Sequence, residues 1–162
     1  MASFYHEIID IFLGTEVINT TLKFLFLYLL NDIKLQEKLQ AEIDEIVGSE
    51  NVIDVSQRNE MIQVSSFIHE GQRYAGVNAF PLVRKCTKDT YIKGHLIKEG
   101  TLILPYDYLT NYDEKYFKDP YVFKHDRFIN EDGKTLNKDL LDKFLPFGAG
   151  KRMCIGKSLA FT

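Results

Sequence analysis

The chain has 162 residues, long enough for one domain with a real core, and at 45% hydrophobic and 27% charged it has the composition of an ordered globular protein rather than a disordered one. Twenty lysines and arginines against 23 aspartates and glutamates leave a net charge of −3, so the basic excess that nucleic-acid binding uses to neutralise phosphates is missing. The longest unbroken apolar run, Phe24 to Leu30, is too short to cross a bilayer, no basic leader precedes the first apolar stretch, and two cysteines, Cys86 and Cys154, do not make a disulfide framework. A reducing compartment or a cytosol-facing surface is expected, with both thiols free for other chemistry.

Residues 4–31 carry apolar positions almost continuously, Ile8, Ile11, Phe12, Leu22, Leu25, Phe26 and Leu29 among them, and predict a long, mostly buried helix. Gly14-Thr15-Glu16 and Asn19-Thr20-Thr21 then fall inside a packed helix, where polar groups are costly unless hydrogen-bonded. Next, Ile33, Leu35, Leu39, Ile43, Ile46 and Val47 recur at helical spacing between charges and predict an amphipathic surface helix closed by Gly48. Residues 51–58 read as a connection. A third helix of about 15 residues ends near Tyr74 or Ala75, with Glu70 and Arg73 on one face. From 78 to 108, short β-leaning runs separated by Lys93-Gly94 and Glu99-Gly100 have the spacing of small antiparallel hairpins. Beyond them NYDEKYFKDPYVFKHDRF is turn-rich and aromatic, a surface course anchored by Phe and Tyr side chains. The fold class is mainly α with a small antiparallel β-sheet.

Residues 144–160, FLPFGAGKRMCIGKSLA, set Cys154 in the spacing Phe147-x-x-Gly150-x-Arg152-x-Cys154-x-Gly156. A cysteine binds metal as its thiolate, which nearby cations and the positive end of a following helix favour. Lys151 and Arg152 supply charge, and IGKSLAFT can begin a helix. Gly150 and Gly156 suit a backbone that turns tightly or lies against something large and flat, and Phe147 is placed to shield the sulfur from water. A lone cysteine is more often a small buried hydrophobe. That reading leaves the pattern unexplained, since five specified residues at about 5% each coincide in a chain of this length on the order of once in 10,000.

The pattern resembles the haem-binding loop of the cytochrome P450 superfamily, the haem-thiolate monooxygenases. Glu70-Gly71-Gln72-Arg73 is similar to that family's E-x-x-R, and Phe123-Lys124-His125-Asp126-Arg127-Phe128 to its later F-x-P-E-R-F, with His125 where proline is usual and Asp126 where glutamate is usual. DEKYFKDPYVF resembles the family's aromatic approach to that arginine, and the set is closest in texture to microsomal, drug-metabolising members. The resemblance runs through nearly the whole chain and implies the C-terminal part of the P450 fold, a partial domain over 1–162. Its parts would be the long oxygen-binding helix and the amphipathic helix over 1–48, the E-x-x-R helix over 58–75, a small β region over 78–108, and the meander with the haem-binding loop over 109–162.

The resemblance implies haem b ligated by Cys154, with Phe147, Gly150, Arg152 and Gly156 around it. Arg84 falls where the family often places a basic partner for a haem propionate, and a solvated strand residue is the other reading of that position. Glu70, Arg73 and Arg127 would form a buried charged cluster, where losing one partner leaves uncompensated charge, although an isolated E-x-x-R is usually a surface ion pair. Val77 to Val83 would face substrate. The family's A/G-G-x-D/E-T-T pattern falls on Leu13-Gly14-Thr15-Glu16-Val17-Ile18: Gly14 and Glu16 match, Val17 and Ile18 stand at both threonine positions, and Leu13 stands where a small residue is usual. Glu16 and Thr15 are therefore the candidate catalytic residues, organising a water for proton delivery, with a structural hydrogen bond as the alternative for Glu16. Val17 and Ile18 leave room for a member that rearranges peroxides or needs no oxygen activation.

The activity implied is oxygen insertion into a small apolar substrate, with electrons from an NADPH-dependent reductase and a thiolate that pushes electron density onto iron. The full-length protein would sit on the cytosolic face of the endoplasmic reticulum membrane, held there by N-terminal sequence outside these 162 residues. The chain is expected to be a C-terminal fragment, entered just before the long helix and ending within the helix after Cys154. The alternatives are a truncated, catalytically silent product that holds haem weakly or not at all, and a cofactor-free helical interaction protein.

Overall fold

The computed structural model describes residues 2–48, 51–77 and 82–160, with side chains from Gly14 onward except that of residue 107. Most of the substrate-facing stretch expected between Val77 and Val83 lies outside these residues, as do the side chains of Ile8, Ile11, Phe12 and Leu13.

Helix α1 spans Ala2–Asn31 and α2 spans Ile33–Val47. Asp32, the one residue between them, ends the first helix and starts the second, its carboxylate accepting the Leu35 N–H at 3.0 Å. Helix α2 stops at Gly48, whose N–H donates to the Asp44 carbonyl at 3.0 Å. After a 3₁₀ turn over Val55–Asn59, α3 runs Ile62–Ala75. Met61 at its N-cap offers no side-chain oxygen, and Glu42 of α2 takes over: its two carboxylate oxygens accept the Gln63 and Val64 N–H groups at 2.8 Å each.

Leu25, Leu35, Leu39 and Phe67 form one buried core across the three helices, with Tyr28, Leu29, Val64, Ile68 and Phe123 packed on it. Helices α1 and α3 meet closely because Gly71 has no side chain: a Cβ there would lie 2.2 Å from Leu25 Cδ2.

The expectation of a mostly buried α1 is corrected by the structure. Leu25 is its buried residue among those described, while Val17, Ile18, Leu22, Phe26, Leu27 and Leu30 are exposed, reaching 74% at Leu30. The helix is apolar on all sides, but α2 and α3 cover one side of it. Gly14-Thr15-Glu16 and Asn19-Thr20-Thr21 accordingly are not inside a packed helix; Thr20 Oγ1 donates to Glu16 Oε1 at 3.2 Å on the surface, and Thr21 Oγ1 to the Val17 carbonyl at 2.8 Å.

Four short strands follow, β1 Arg84–Lys85, β2 Thr90–Ile92, β3 His95–Ile97 and β4 Leu102–Ile103, in two antiparallel pairs, β1 with β4 and β2 with β3. Lys93 and Gly94 both have positive φ, 47° and 84°, the two-residue turn whose twist suits a tight hairpin, and Ile92 pairs His95 across it. The Glu99-Gly100 turn does not close a second hairpin with β3. Its Gly100 N–H donates to the Cys86 carbonyl at 2.8 Å, which sends β4 back to β1 in the register Arg84↔Ile103. The outer pair therefore encloses the inner one.

From Asp107 the chain is mostly turns, with short helices α4 Asp107–Asn111, α5 Lys138–Leu141 and α6 Lys157–Ala160. A second core forms here from Phe117, Phe128 and Phe144, with Tyr116, Leu136, Leu140 and Leu141 against it. These aromatic anchors hold a segment that has little backbone pairing of its own.

Candidate functional site

The last three turns of α3 place Ser66, Glu70 and Arg73 on its buried side, all with 0% exposure. Arg73 Nε and Nη2 donate to the two Glu70 oxygens at 2.8 and 2.9 Å, a bidentate pair fixed by the three-residue spacing on one helix face. Arg127, 57 residues later, donates its Nε to the same oxygens at 3.0 and 2.9 Å. The Lys124 N–H adds a further bond to Glu70 at 2.9 Å.

Two guanidinium groups against one carboxylate leave one positive charge in excess inside the protein, and backbone carbonyls spread it. Arg73 Nη1 donates to Asn111 at 2.7 Å, and the Arg127 amino groups donate to the carbonyls of Lys118, Asp119 and Val122. Arg73 also lies 5.3 Å from the Phe117 ring centre and 5.5 Å from that of Tyr112, close enough for the ring faces to share the charge.

Ser66, one turn before Glu70, accepts the Phe128 N–H at 3.2 Å. Thus α3 offers the meander two polar anchors, Ser66 and Glu70, four residues apart. Sequence reasoning missed Ser66 although its helical spacing to Glu70 puts it on the same face. It also missed Glu42, whose role spans more than twenty residues of chain.

At the other end, the Phe128–Phe144 contact carries the chain into the cysteine loop. Gly148 and Gly150 both adopt φ 69°, a backbone a side chain would strain, and a 3₁₀ turn over Gly150–Arg152 follows. The Cys154 N–H donates to the Phe147 carbonyl at 2.8 Å and closes the loop. A Cβ on Gly156 would sit 3.8 Å from the Cys154 sulfur, and one on Gly14 or Gly150 would meet nothing within 4 Å. Cys154 is a free, exposed thiol. Phe147 holds the loop through its backbone carbonyl and lines a cavity under α1 with Val17, Thr21 and Gln72. Arg84 Nη2 donates to the Arg152 carbonyl at 3.4 Å, which brings β1 and the cysteine loop together.

The sequence candidates thus fall in three places: Glu70, Arg73 and Arg127 in direct contact; Phe147, Gly150, Arg152, Cys154, Gly156 and Arg84 in and beside one loop; Glu16 and Thr15 on the exposed part of α1. No group of three or more His, Cys, Asp or Glu side chains gathers among the described residues. Haem would fit this donor set, since it takes one thiolate from the protein and Gly156 puts no side-chain atom beside the Cys154 sulfur.

The family model of cytochrome P450 matches residues 4–162. The chain belongs to the cytochrome P450 family. It is similar to cytochrome P450 2E1 of Oryctolagus cuniculus, 38% identical over 92% of this chain and 30% of the relative. Cytochrome P450 2B2 of Rattus norvegicus is 36% identical over 97% of the chain and 33% of its own length, and cytochrome P450 2B19 of Mus musculus 35% identical over 92% and 30%. The chain spans about a third of these P450 relatives, and no helix among its described residues is long and apolar enough to cross a membrane.

Proposed function

We propose that this P450 chain carries the thiolate side of a haem-dependent monooxygenase, in which Cys154 would hold haem b. The observation that carries the reading is Cys154 itself, an exposed thiol at the head of a loop pinned by its own N–H to Phe147 and flanked by glycine on the sulfur side. When bound, haem supplies oxygen activation at an iron to which the thiolate donates electron density.

The chain's own residues would do the rest. Lys151 and Arg152, in the turn just before Cys154, would favour its thiolate, and Arg84 and Arg152 would be available to the carboxylates of a haem. The Glu70–Arg73–Arg127 cluster ties α3 to the meander that delivers the loop, and so sets where the sulfur sits. Glu16, bonded to Thr20 in place of a neighbouring threonine, would orient a proton-donating water at α1, with Thr15 beside it. The substrate class is small and apolar, the electron donor an NADPH-dependent reductase, and the location the endoplasmic reticulum membrane on its cytosolic side.

The test is expression in cells supplied with porphyrin. The purified protein is expected to be coloured and, when reduced under carbon monoxide, to give the spectrum of thiolate-ligated iron, lost in Cys154→Ala. A colourless protein, or a spectrum indifferent to that substitution, overturns the proposal.

A second reading, that residues 1–162 alone hold haem weakly and are catalytically silent, is favoured by one observation: Met153, Ile155 and Leu159 around the thiol are exposed, Ile155 at 95%. A large cofactor needs apolar walls on both faces. Substrate turnover by the 162-residue chain with a reductase would eliminate this reading.

A further inference from the structure

His125 stands where the family's F-x-P-E-R-F has proline, whose side chain makes no hydrogen bond, and the site described above does not use it. Its ring is half-buried and reaches across 87 positions of sequence to α2, where Nε2 lies 3.1 Å from Lys38 Nζ. A lysine ammonium has three donors and no acceptor, so the bond runs from Lys38 to a ring nitrogen that carries no proton. The contact therefore fixes the ring as neutral, with its proton on Nδ1.

Bonds of another kind hold the 123–128 segment to α3. The Lys124 N–H and Arg127 Nε donate to Glu70, and the Phe128 N–H donates to the Ser66 hydroxyl. Those donors are peptide groups and a guanidinium, which do not titrate in the neutral range; an imidazole does. Burial holds the His125 ring below the usual 6.5, the Lys38 charge acts in the same direction, and the carboxylates of Asp126, beside it in the chain, and Asp32, at the N-cap of α2, oppose them. The neighbouring cations of the segment are turned elsewhere, Lys124 Nζ to Asp119 at 2.7 Å and Arg127 to Glu70. Protonation of Nε2 replaces the acceptor with a donor and sets two cations face to face, so the contact must open.

We propose that Lys38 and His125 form a pH-sensitive latch between α2 and the 123–128 segment, closed while the imidazole is neutral and open once Nε2 is protonated, with the segment fixed to α3 in both states. Opening takes up one proton at Nε2 and breaks one N–H···N hydrogen bond; the imidazolium then turns toward the carboxylates of Asp126 and Asp32. The latch is closed above about pH 6.5 and is lost as pH falls, since the folded chain resists the proton that the unfolded chain accepts.

The test is made on the 162-residue chain. Nitrogen NMR of the ring is expected to show the Nδ1–H tautomer at pH 7.5 and a titration midpoint below 6.5 that moves up in Lys38→Met and down in Asp126→Asn. A double-mutant cycle of Lys38→Met with His125→Ala on the urea midpoint is expected to show favourable coupling at pH 7.5 that is lost or reversed at pH 5.5. Hydrogen-exchange protection of the Phe128 N–H is expected to persist at both pH values. An Nε2–H tautomer at pH 7.5 overturns the latch, because Lys38 then acts through its charge alone. Equal coupling at the two pH values overturns the switching, and loss of Phe128 protection at pH 5.5 overturns the selective release from α2.

Discussion

Glu70 accepts from two guanidinium groups and one peptide N–H with no exposure to water, so its charge cannot be removed quietly. Glu70→Gln leaves Arg73 and Arg127 facing each other uncompensated, and breaking a buried pair in this way costs about 3–5 kcal/mol. Urea denaturation is expected to show that loss in the midpoint; a change below 1 kcal/mol, within the range of exposed pairs, would mean the cluster is open to solvent. His69 gives a different signal. Burial holds its imidazole below the usual 6.5, and the ring packs against Phe128 and Phe144. The folded state prefers the neutral form, so its contribution is fully present above about pH 6.5 and is lost as pH falls, because the unfolded chain then takes up a proton that the folded chain resists. His125, lowered by burial and by Lys38, adds to the same slope. Stability measured by urea from pH 7.5 to 5.5 is expected to fall, and His69→Gln to flatten the curve.

Among elements, the contact of α1 with α3 depends on a missing methyl group. Gly71→Ala puts a Cβ 2.2 Å from Leu25, and overpacking of this kind costs about 1–3 kcal/mol. Because one atom causes the clash, Leu25→Ala should cost less in the Gly71→Ala background than alone. A double-mutant cycle on the urea midpoint measures that coupling, and strict additivity would show that the helices simply move apart. Helix α3 is started by a borrowed cap, and Glu42→Ala is expected to cost about 0.5–2 kcal/mol in the same assay, the range for loss of an N-cap oxygen. Elements specified by near neighbours were legible in the sequence: the spacing of Leu35 and Leu39, the stop at Gly48, and the Lys93-Gly94 turn all act within a few residues. The Glu99-Gly100 turn was misread because its partner, Cys86, lies just past β1 and thirteen or more residues back, and local turn chemistry does not carry that choice.

For the whole molecule, the decisive asymmetry is in α1. One side packs on α2 and α3, and the rest carries Ile18, Leu22, Phe26 and Leu30 into solvent, an exposed apolar surface larger than isolated surface residues make. A nonpolar fluorescent dye is expected to bind the folded chain, and polar substitutions at Phe26 and Leu30 to abolish most of its signal without shifting the urea midpoint. A midpoint shift would mean these side chains are packed after all. The sequence by itself determined the family, because a glycine-and-cysteine loop and a helix-borne ion pair are short-range patterns whose residue types must stand at fixed spacing. Tertiary structure alone decided which carbonyls accept from the extra arginine, which strand pairs with which, and which face of α1 is covered. Those depend on what lies opposite each side chain, and that information is spread over the whole chain.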